Sequence, residues 1–323
     1  MATGPFKDLH GVYGFASGVD HRDCVFLGRR WRDEYGTTMA DSDFSILVNV
    51  PDDQHEATTH LRVAYWRNLL TGIWRSPTKK VFVADASLPA IHLFADLMSD
   101  ARTQQTFRLR FAPEGVYGFD DEHIYTFGTT KTADGDWVYP VARWDGSGFT
   151  EMPSPGFPIS RMHGLAPDFL YAAGWRGGMA RWDGRGWTNF PMPTGEVYTD
   201  VFVAGSDEMY ATGLNGSFLE GSASGWTQVT QSVGQELPFA CVAKCFDEVW
   251  VGGAAMGLFR RVGRTDQLEL VRDDIGATSF DVHGDSLLIT ADTFIASTQD
   301  GQSYRDAAVD LLVTLTDMVD IRE

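Results

Sequence analysis

The amino-acid sequence predicts an all-β protein built from copies of one small sheet, and three observations support this fold class. The heptapeptide RWDGSGF at 143–149 returns as RWDGRGW at 181–187, 38 positions later. Short apolar runs that end in a small residue recur at a nearly constant spacing. Turns containing glycine separate these runs, and the chain has 34 glycines among 323 residues. Recurrence at such a distance marks stacked copies of one supersecondary unit.

The apolar runs define the repeat period. They are HIYTFG ending at Gly128, FLYAAG at Gly174, EMYATG at Gly213, EVWVGG at Gly252 or Gly253, and SLLITA at Ala291. Their successive spacings are 46, 39, 39 and 39 residues when Gly252 is used. CVFLG ending at Gly28 and KVFVA ending at Ala84 extend the series to seven copies, with larger spacings of 56 and 44. The first two copies therefore carry insertions.

Each copy has the same order of elements. An apolar strand is followed by an acidic or Gly turn, a strand ending in the small residue, a Gly-rich loop, a third strand, and a tight turn before an aromatic residue. Asp-Gly between apolar segments is a strong hairpin signal, because the favoured two-residue turn needs positive φ angles. We therefore expect Trp182 to end a third strand, Asp183 and Gly184 to turn the chain, and Trp187 to begin a fourth strand that packs between sheets.

Four-stranded units that cannot bury both faces alone are stable when each sheet covers the next in a ring. The sequence thus predicts a single β-propeller domain at 10–321, with seven four-stranded antiparallel blades and with six or eight blades as alternatives. Insertions lengthen the first two blades, at about 10–112. A β-sandwich also accommodates short Gly-rich strands, but it does not require an even period. We expect the segment Leu311 to Ile321 to form strand beside the blade begun by Gly11 to Phe15.

Two stretches carry a family resemblance: DFLYAAGWRGGMARWDGRGW from Asp168 to Trp187 and DEMYATGLNGSF from Asp207 to Phe218. They resemble the blades of bacterial β-propellers of the periplasmic-sensor and photosystem-assembly-factor type. The resemblance covers roughly two-thirds of the chain, weakens before residue 110, and implies the fold rather than the function, since propellers host many roles.

Charge and composition narrow the functional classes. With 44 acidic and 26 basic residues, the formal net charge is −18. Nucleic-acid binders neutralise phosphates, so this balance argues against nucleic acid and is compatible with a basic protein partner, although solubility alone also explains it. The N-terminal residues have no signal-peptide pattern and no run is long enough to span a membrane, so we expect a cytoplasmic protein that does not contact membranes.

The cysteines fit a reducing compartment. Cys241 and Cys245 would lie about 13 Å apart on one strand, beyond disulfide reach, and we interpret them as buried thiols together with Cys24.

No catalytic motif, cofactor site or metal site is predicted. The eight histidines do not share one blade position, so they do not form a ring of equivalent ligands. His163 falls on a predicted innermost strand and is the one candidate for lining the channel, with a structural histidine as the alternative. The sequence DGDW at 134–137 lacks the later glutamate of a calcium loop and is interpreted as a hairpin tip.

Two functional classes remain. A propeller enzyme, a lyase or hydrolase acting on a sugar or peptide, would place acids and histidines at the central channel. A binding protein would carry aromatic and arginine residues, which dominate interface energies, in its loops. The loops between second and third strands favour binding, and the candidate protein-binding residues are Arg29, Arg30, Trp31, Trp137, Trp175, Arg176 and Met256. We therefore favour a non-enzymatic scaffold, monomeric outside its complex, with an immunity-type role against a basic toxin or effector as its specific form.

Acidic turns are expected at the opposite end of the propeller. The residues of this acidic rim are Asp120, Asp121, Glu122, Asp168, Asp207, Glu208, Asp247, Glu248 and Asp285. Asp is favoured in turns for local reasons. Turn chemistry and a surface for a cationic partner are therefore both open interpretations.

Overall fold

The computed structural model describes residues 9–32, 44–50, 62–66, 69–95, 104–229, 237–261, 263, 265, 267–291, 294–307 and 319–320. Side chains are described at 14–28 and, within those ranges, from 69 to 306. The described strands form seven sheets. The first sheet contains β1 (Leu9–Asp20), β2 (Asp23–Arg32), β3 (Phe44–Val50) and β4 (Arg62–Trp66).

The middle three sheets are consecutive in the chain. They contain β5 (Leu70–Arg75), β6 (Val81–Asp85), β7 (Ala90–Phe94) and β8 (Gln104–Arg108); β9 (Ala112–Gly118), β10 (Ile124–Lys131), β11 (Trp137–Val138), β12 (Val141–Trp144) and β13 (Phe149–Met152); and β14 (Ile159–Ala166), β15 (Phe169–Gly174), β16 (Met179–Trp182) and β17 (Trp187–Asn189). In the second of these, β11 is an added short strand that pairs with the end of β10.

The last three sheets are regular. They contain β18 (Tyr198–Gly205), β19 (Glu208–Gly213), β20 (Phe218–Ser222) and β21 (Gly225–Gln228); β22 (Cys241–Cys245), β23 (Glu248–Gly252), β24 (Leu258–Arg261) and β25 (Leu268–Arg272); and β26 (Ala277–His283), β27 (Ser286–Ala291), β28 (Ile295–Thr298) and β29 (Tyr304–Ala307). The final strand, β30 (Val319–Asp320), belongs to the first sheet. Short 3₁₀ turns at Leu214–Gly216 and Ala254–Met256 join second to third strands.

The sheets are the blades of a β-propeller. Apart from β30, strands within a sheet pair antiparallel and mostly in chain order. The innermost strands contact one another in the cyclic order β1, β5, β9, β14, β18, β22 and β26, with β26 returning to β1. The prediction of an all-β propeller with four-stranded antiparallel blades is confirmed. The sheet begun by β1 is called the first blade below. Six further blades follow it consecutively from β5 to β29, and in the ring the first blade lies between the blade begun by β26 and the blade begun by β5.

The ring closes by packing of the last blade against the first. The backbone N–H of Gly18 donates to Asp281 Oδ2 at 2.9 Å, and His21 Nδ1 lies 2.7 Å from Ser297 Oγ. Within the predicted closing segment, Val319 and Asp320 pair parallel with β4, at the outer edge of the first sheet. Residues 311–318 and 321 of that segment lie outside the described residues. The N-terminal residues already supply four strands to the first blade, so the C-terminal strand adds only at its edge.

The repeated heptapeptide forms the predicted hairpin. Trp182, the last residue of β16, pairs with Trp187, the first residue of β17. Asp183 Oδ1 accepts the backbone N–H groups of Arg185 and Gly186, both at 2.9 Å, and Gly184 has a φ of 89°. Trp187 is partly buried against the core between the third and fourth blades. This hairpin is therefore a scaffold feature.

The small residue that closes each second strand has a steric cause. A Cβ atom at Gly128 would collide with the carbonyl oxygen of Ala112, and one at Gly174 with that of Pro158. At Gly213 the same collision would involve the carbonyl oxygen of Val197, so in three consecutive blades the small residue lies against the chain that enters the first strand. In these blades the repeat signature therefore reflects a close backbone approach.

All three cysteines are buried and free. Cys241 and Cys245 stand at the two ends of β22, as expected for structural thiols. Burial raises the pKa of Cys24 to about 12 and that of Cys245 to about 11, so both are thiols at neutral pH. Among the described residues, no helix is long and apolar enough to cross a membrane.

Candidate functional site

The innermost strands surround a central cavity of about 360 Å³. All seven contribute lining residues. The lining continues through Ser76, Pro77 and Lys79, which follow β5, and through His283 at the end of β26. The cavity therefore reaches the end of the ring that carries the turns between first and second strands, which we call the turn face.

Side chains that line the channel form hydrogen bonds between neighbouring blades. An innermost strand is the edge strand of its sheet, and its N–H groups on the channel side have no strand partner. At five of the junctions an acceptor from one blade takes such an N–H from the next. The pairs are Ser17 with Arg75 at 3.0 Å, Tyr117 with Gly164 at 3.1 Å, His163 with Val203 at 3.0 Å, Asp200 with Val242 at 3.0 Å, and Asp281 with Gly18 at 2.9 Å.

His163 lines the channel, as its position on β14 suggested. Its Nδ1 accepts the Val203 N–H, so the ring carries its proton on Nε2. The ring stacks on Phe202 at a centroid distance of 4.3 Å. Desolvation by burial lowers the pKa of His163 to about 4. At neutral pH the side chain is therefore uncharged, and it holds a hydrogen bond between two blades. This role agrees with the alternative interpretation of His163 as a structural histidine.

Sequence reasoning missed two partly buried acids in the same channel. Desolvation raises the pKa of Asp200 to about 6 and also raises the pKa of Asp281. Each is the single acid of its innermost strand, in YTDVFVAG and ATSFDVH. A lone acid within a predicted innermost strand is the sequence signal that could have identified them.

Three cations also line the cavity, and two of them share one partner. Arg75 Nη1 lies 2.6 Å from Asp23 Oδ1, and Lys79 Nζ lies 3.2 Å from Asp23 Oδ2. The third, Arg161, places its guanidinium carbon 4.4 Å from the ring centroid of Phe15. These groups make the channel polar as well as aromatic.

The opposite end of the ring carries the loops between second and third strands and the blade-to-blade connections, and we call it the loop face. Of the eight large apolar side chains that are exposed in the described part of the chain, six lie here. They are Leu69, Trp137, Val138, Trp175, Leu214 and Met256. Trp137 is 57% exposed and Trp175 is 54% exposed. Leu165 and Leu270 are the two elsewhere.

Backbone hydrogen bonds hold the loop after β15 against the chain segments that enter β14 and β18. The N–H of Trp175 donates to Pro158 O of the same blade at 3.0 Å, and that of Gly177 donates to Glu196 O, ahead of the next blade, at 2.6 Å. The loops of three consecutive blades each contain one residue with a left-handed backbone conformation, with φ of 59° at Arg176, 62° at Asn215 and 47° at Ala254. This shared turn exposes the neighbouring Trp175 and Leu214 to solvent, while Arg176 is itself exposed.

The sequence placed Arg29, Arg30 and Trp31 in a loop, and this placement was wrong. They lie within β2, whose backbone pairs with β1 and with β3, including Arg29 with Ser45 and Arg30 with Phe44. The strand continues past Gly28 because β1 pairs with all of the added residues and β3 with the first two of them. Their side chains lie outside the described ones, so the structure does not bring them together with Trp175 and Arg176.

The predicted acidic rim lies on the turn face, and many of its acids have local partners. Asp120 accepts the N–H groups of Glu122 and His123, at 2.8 and 2.9 Å, and Asp207 accepts that of Ala223. Lys80 pairs with Asp121, Lys244 with Glu208, and Arg260 with Glu248. Glu122, Asp168, Asp247 and Asp285 are exposed. Turn formation and local ion pairs therefore account for much of the rim.

Comparisons with known proteins agree with this architecture. No protein-family model and no curated protein matches the sequence. Among solved structures, the chain is similar to YCF48 bound to D1 peptide (TM-score 0.59, 10% identity, 95% of this chain and 97% of that one) and to the WD40 propeller domain of Doa1 (0.60, 10%, 88% and 93%). It is also similar to virginiamycin B lyase from Staphylococcus aureus (0.55, 12%, 88% and 95%). At these identities the likeness is one of fold, and the chain is a β-propeller whose structural neighbours differ in function.

Proposed function

We propose that the protein is a non-enzymatic scaffold that captures another protein through its loop face. The observation that carries the proposal is the concentration of exposed large apolar side chains at that end of the ring, with Trp137 and Trp175 the most exposed. Clustered apolar exposure on a folded protein marks interaction sites, and Trp and Arg side chains are frequent energetic anchors. Arg176, beside Trp175, adds such an anchor.

The negative charge of the protein supports the proposal that its partner is basic. Exposed acids stand near the apolar residues of the loop face: Asp134 and Asp136 precede Trp137, and Asp273 precedes the innermost strand of the last blade. The whole chain carries a formal charge of −18. A partner with an apolar centre surrounded by Lys or Arg would complement both features.

The channel favours the binding role over the enzymatic alternative. His163, Asp200 and Asp281, the groups that an enzyme of this fold could use for acid-base chemistry, each accept a backbone N–H from the next blade. A solved propeller of similar fold is described as bound to a peptide, which supports peptide or protein capture by this architecture. We further propose an immunity-type role, in which stoichiometric capture neutralises a basic toxin or effector; its support is the acidic charge and the loop face.

The test compares a loop-face variant with an exposed apolar residue elsewhere. Trp175→Ala should weaken binding of a captured and purified partner by about 1–4 kcal/mol without changing the melting temperature, because the side chain is solvent-exposed. Leu165→Ala, which truncates a 48% exposed side chain on the turn face, should change neither. Affinity capture identifies the partner, and titration calorimetry measures each variant.

Two results contradict the proposal. One is a partner that binds Trp175→Ala and Trp137→Ala as tightly as the unmodified protein. The other is a failure to recover any stoichiometric partner from the native host. For the immunity-type role, the partner must also be toxic when expressed alone and harmless when co-expressed with this chain.

A further inference from the structure

Arg161 reaches across the propeller channel. It belongs to β14 of the fourth blade, yet its guanidinium lies over Phe15 of β1, in the first blade, at 4.4 Å. Both residues line the central cavity. The guanidinium of Arg161 and the ring of Phe15 therefore form one wall of the cavity together, although the two residues belong to opposite sides of the ring.

The guanidinium of Arg161 lacks hydrogen-bond acceptors. Its nearest acid is Asp200, whose Oδ1 lies 3.9 Å from Nε, too far for a hydrogen bond. By contrast, Arg75 donates to both a side-chain and a main-chain oxygen of Asp23, at 2.6 and 2.8 Å. Within the described residues, the Arg161 side chain donates no hydrogen bond. Since arginine keeps its charge and its five donors, this side chain requires acceptors from inside the cavity.

His163 supplies a second donor beside it. The two residues are separated by one position on β14, so their side chains leave the strand on the same side. Nδ1 of His163 is occupied by the Val203 N–H, which leaves the Nε2–H as the free donor. In the described part of the chain this Nε2–H has no protein partner.

The acids of the cavity form no hydrogen bond with these donors, although Asp200 lies within ion-pair distance of Arg161. Asp200 and Asp281 accept backbone N–H groups from neighbouring blades, and Asp23 is bound by Arg75 and Lys79. Phe119, Phe202 and Phe280 are only partly buried where they line the cavity. The volume of about 360 Å³ falls in the range of small-molecule sites. The cavity thus offers two donors from one strand, together with aromatic faces.

We propose that the channel binds a small organic acid, with its carboxylate on Arg161 and the Nε2–H of His163 and its apolar body against Phe119, Phe202 and Phe280. A planar guanidinium binds a carboxylate through two parallel hydrogen bonds, and the guanidinium of Arg161 donates none to the described residues. This site is independent of the loop face, so it goes beyond the proposed capture of a protein.

The test uses acids and their neutral isosteres on the full-length protein. Acetate, hexanoate and phenylacetate, with acetamide, hexanamide and phenylacetamide as controls, are titrated calorimetrically. At least one of the two larger acids should bind saturably with one site, at least about 10-fold more tightly than its amide and more tightly than acetate. Arg161→Gln should weaken the acid by about 10- to 100-fold and leave the amide unchanged. Arg185→Gln, an exposed arginine in a hairpin turn, is the matched control.

A second readout reports on His163 directly. Carboxylate binding should shift the Nε2 resonance of ¹⁵N-labelled His163 and raise the pKa of its ring, whereas a purely structural histidine would show neither. If Arg161→Gln fails to fold, Arg161→Lys and the acid-against-amide comparison on the unmodified protein decide. The proposal is overturned if no acid in the series saturates at millimolar concentration, if acids and amides bind equally, or if the Nε2 resonance does not respond.

Discussion

His163, Asp200 and Asp281 show how single residues hold the ring together. Each is a titratable side chain that spans a blade junction and accepts a backbone N–H from the next blade, and Asp200 also accepts the Val201 N–H through Oδ1 at 2.9 Å. Each is partly buried, and the loss of hydration shifts their pKa values toward the neutral form. The bond favours keeping an acceptor at these positions, while the desolvation of a carboxylate disfavours a charge there. An uncharged acceptor would satisfy both requirements at Asp200.

This balance predicts the effect of Asp200→Asn on stability. The folded-state pKa of Asp200, about 6, lies above its ordinary value of 3.8, so the folded protein binds more protons than the unfolded chain between these values. The carboxyl therefore makes the protein less stable as pH rises from about 4 to about 6. Asn keeps one oxygen acceptor, for the Val242 N–H, without the charge, but it gives up the acceptor of the Val201 N–H. Removal of the charge outweighs the loss of this one neutral bond, so the variant should be more stable at pH 7, by on the order of 1 to 2 kcal/mol.

Denaturant unfolding of both proteins from pH 4 to 7.5 measures this effect. The difference between them should be smallest near pH 4 and should grow up to about pH 7. His163 titrates in the same window with the opposite sign, because its lowered pKa costs stability as pH falls below 6.5, so the comparison uses the difference and not the absolute curve. A difference independent of pH, or a variant destabilised at pH 7, would contradict the interpretation.

At the scale of elements, the sequence predicted hairpins well because their signals are local. The third strand was expected to end at Trp182 and the fourth to begin at Trp187, as observed. The sequence failed where an element depends on distant partners: β2 runs on to Arg32 because β1 pairs with it over its whole length and β3 pairs with it as far as Arg30. The channel acids were missed for the same reason, since the atoms around Asp200 come from β14 and β22, 39 and 42 positions away. Local patterns do not record such neighbours.

The recurring small residue gives an element-scale prediction. Gly174→Ala should destabilise the protein by about 1–3 kcal/mol, because the added Cβ meets the carbonyl oxygen of Pro158 and backbone must shift. Gly186→Ala is the matched control: it lies in the same blade, and no atom stands within 4 Å of the added Cβ. Thermal or denaturant unfolding should place the control within about 0.5 kcal/mol of the unmodified protein. Equal stability of the two variants would mean that the small residue is not required by the close backbone approach.

At the scale of the whole molecule, charge and apolar exposure are distributed differently. The turn face carries the predicted acidic rim, and the loop face carries most of the exposed apolar side chains together with acids of its own. The formal charge of −18 gives the protein a net attraction for a cationic partner at long range. The net charge can attract a partner from a distance, while the partner docks on one face only. Measurements of association kinetics can separate these two effects.

The last prediction uses two matched sets of charge-neutralising variants. One replaces Asp134, Asp136 and Asp273 on the loop face by Asn, and the other replaces Asp168, Asp247 and Asp285 on the turn face; all six are exposed. Each set removes three charges, so the effect on net charge is equal. If the partner docks on the loop face, the first set should slow association by several-fold at low ionic strength and flatten its salt dependence, because nearby charges steer encounter and salt screens distant ones. The second set should have a smaller effect, and neither should much change the dissociation rate.

Stopped-flow measurements with the purified partner from 20 to 500 mM salt provide the comparison. A larger effect of the turn-face set would move the docking surface to the acidic rim, where sequence analysis had left a cationic partner as an open interpretation.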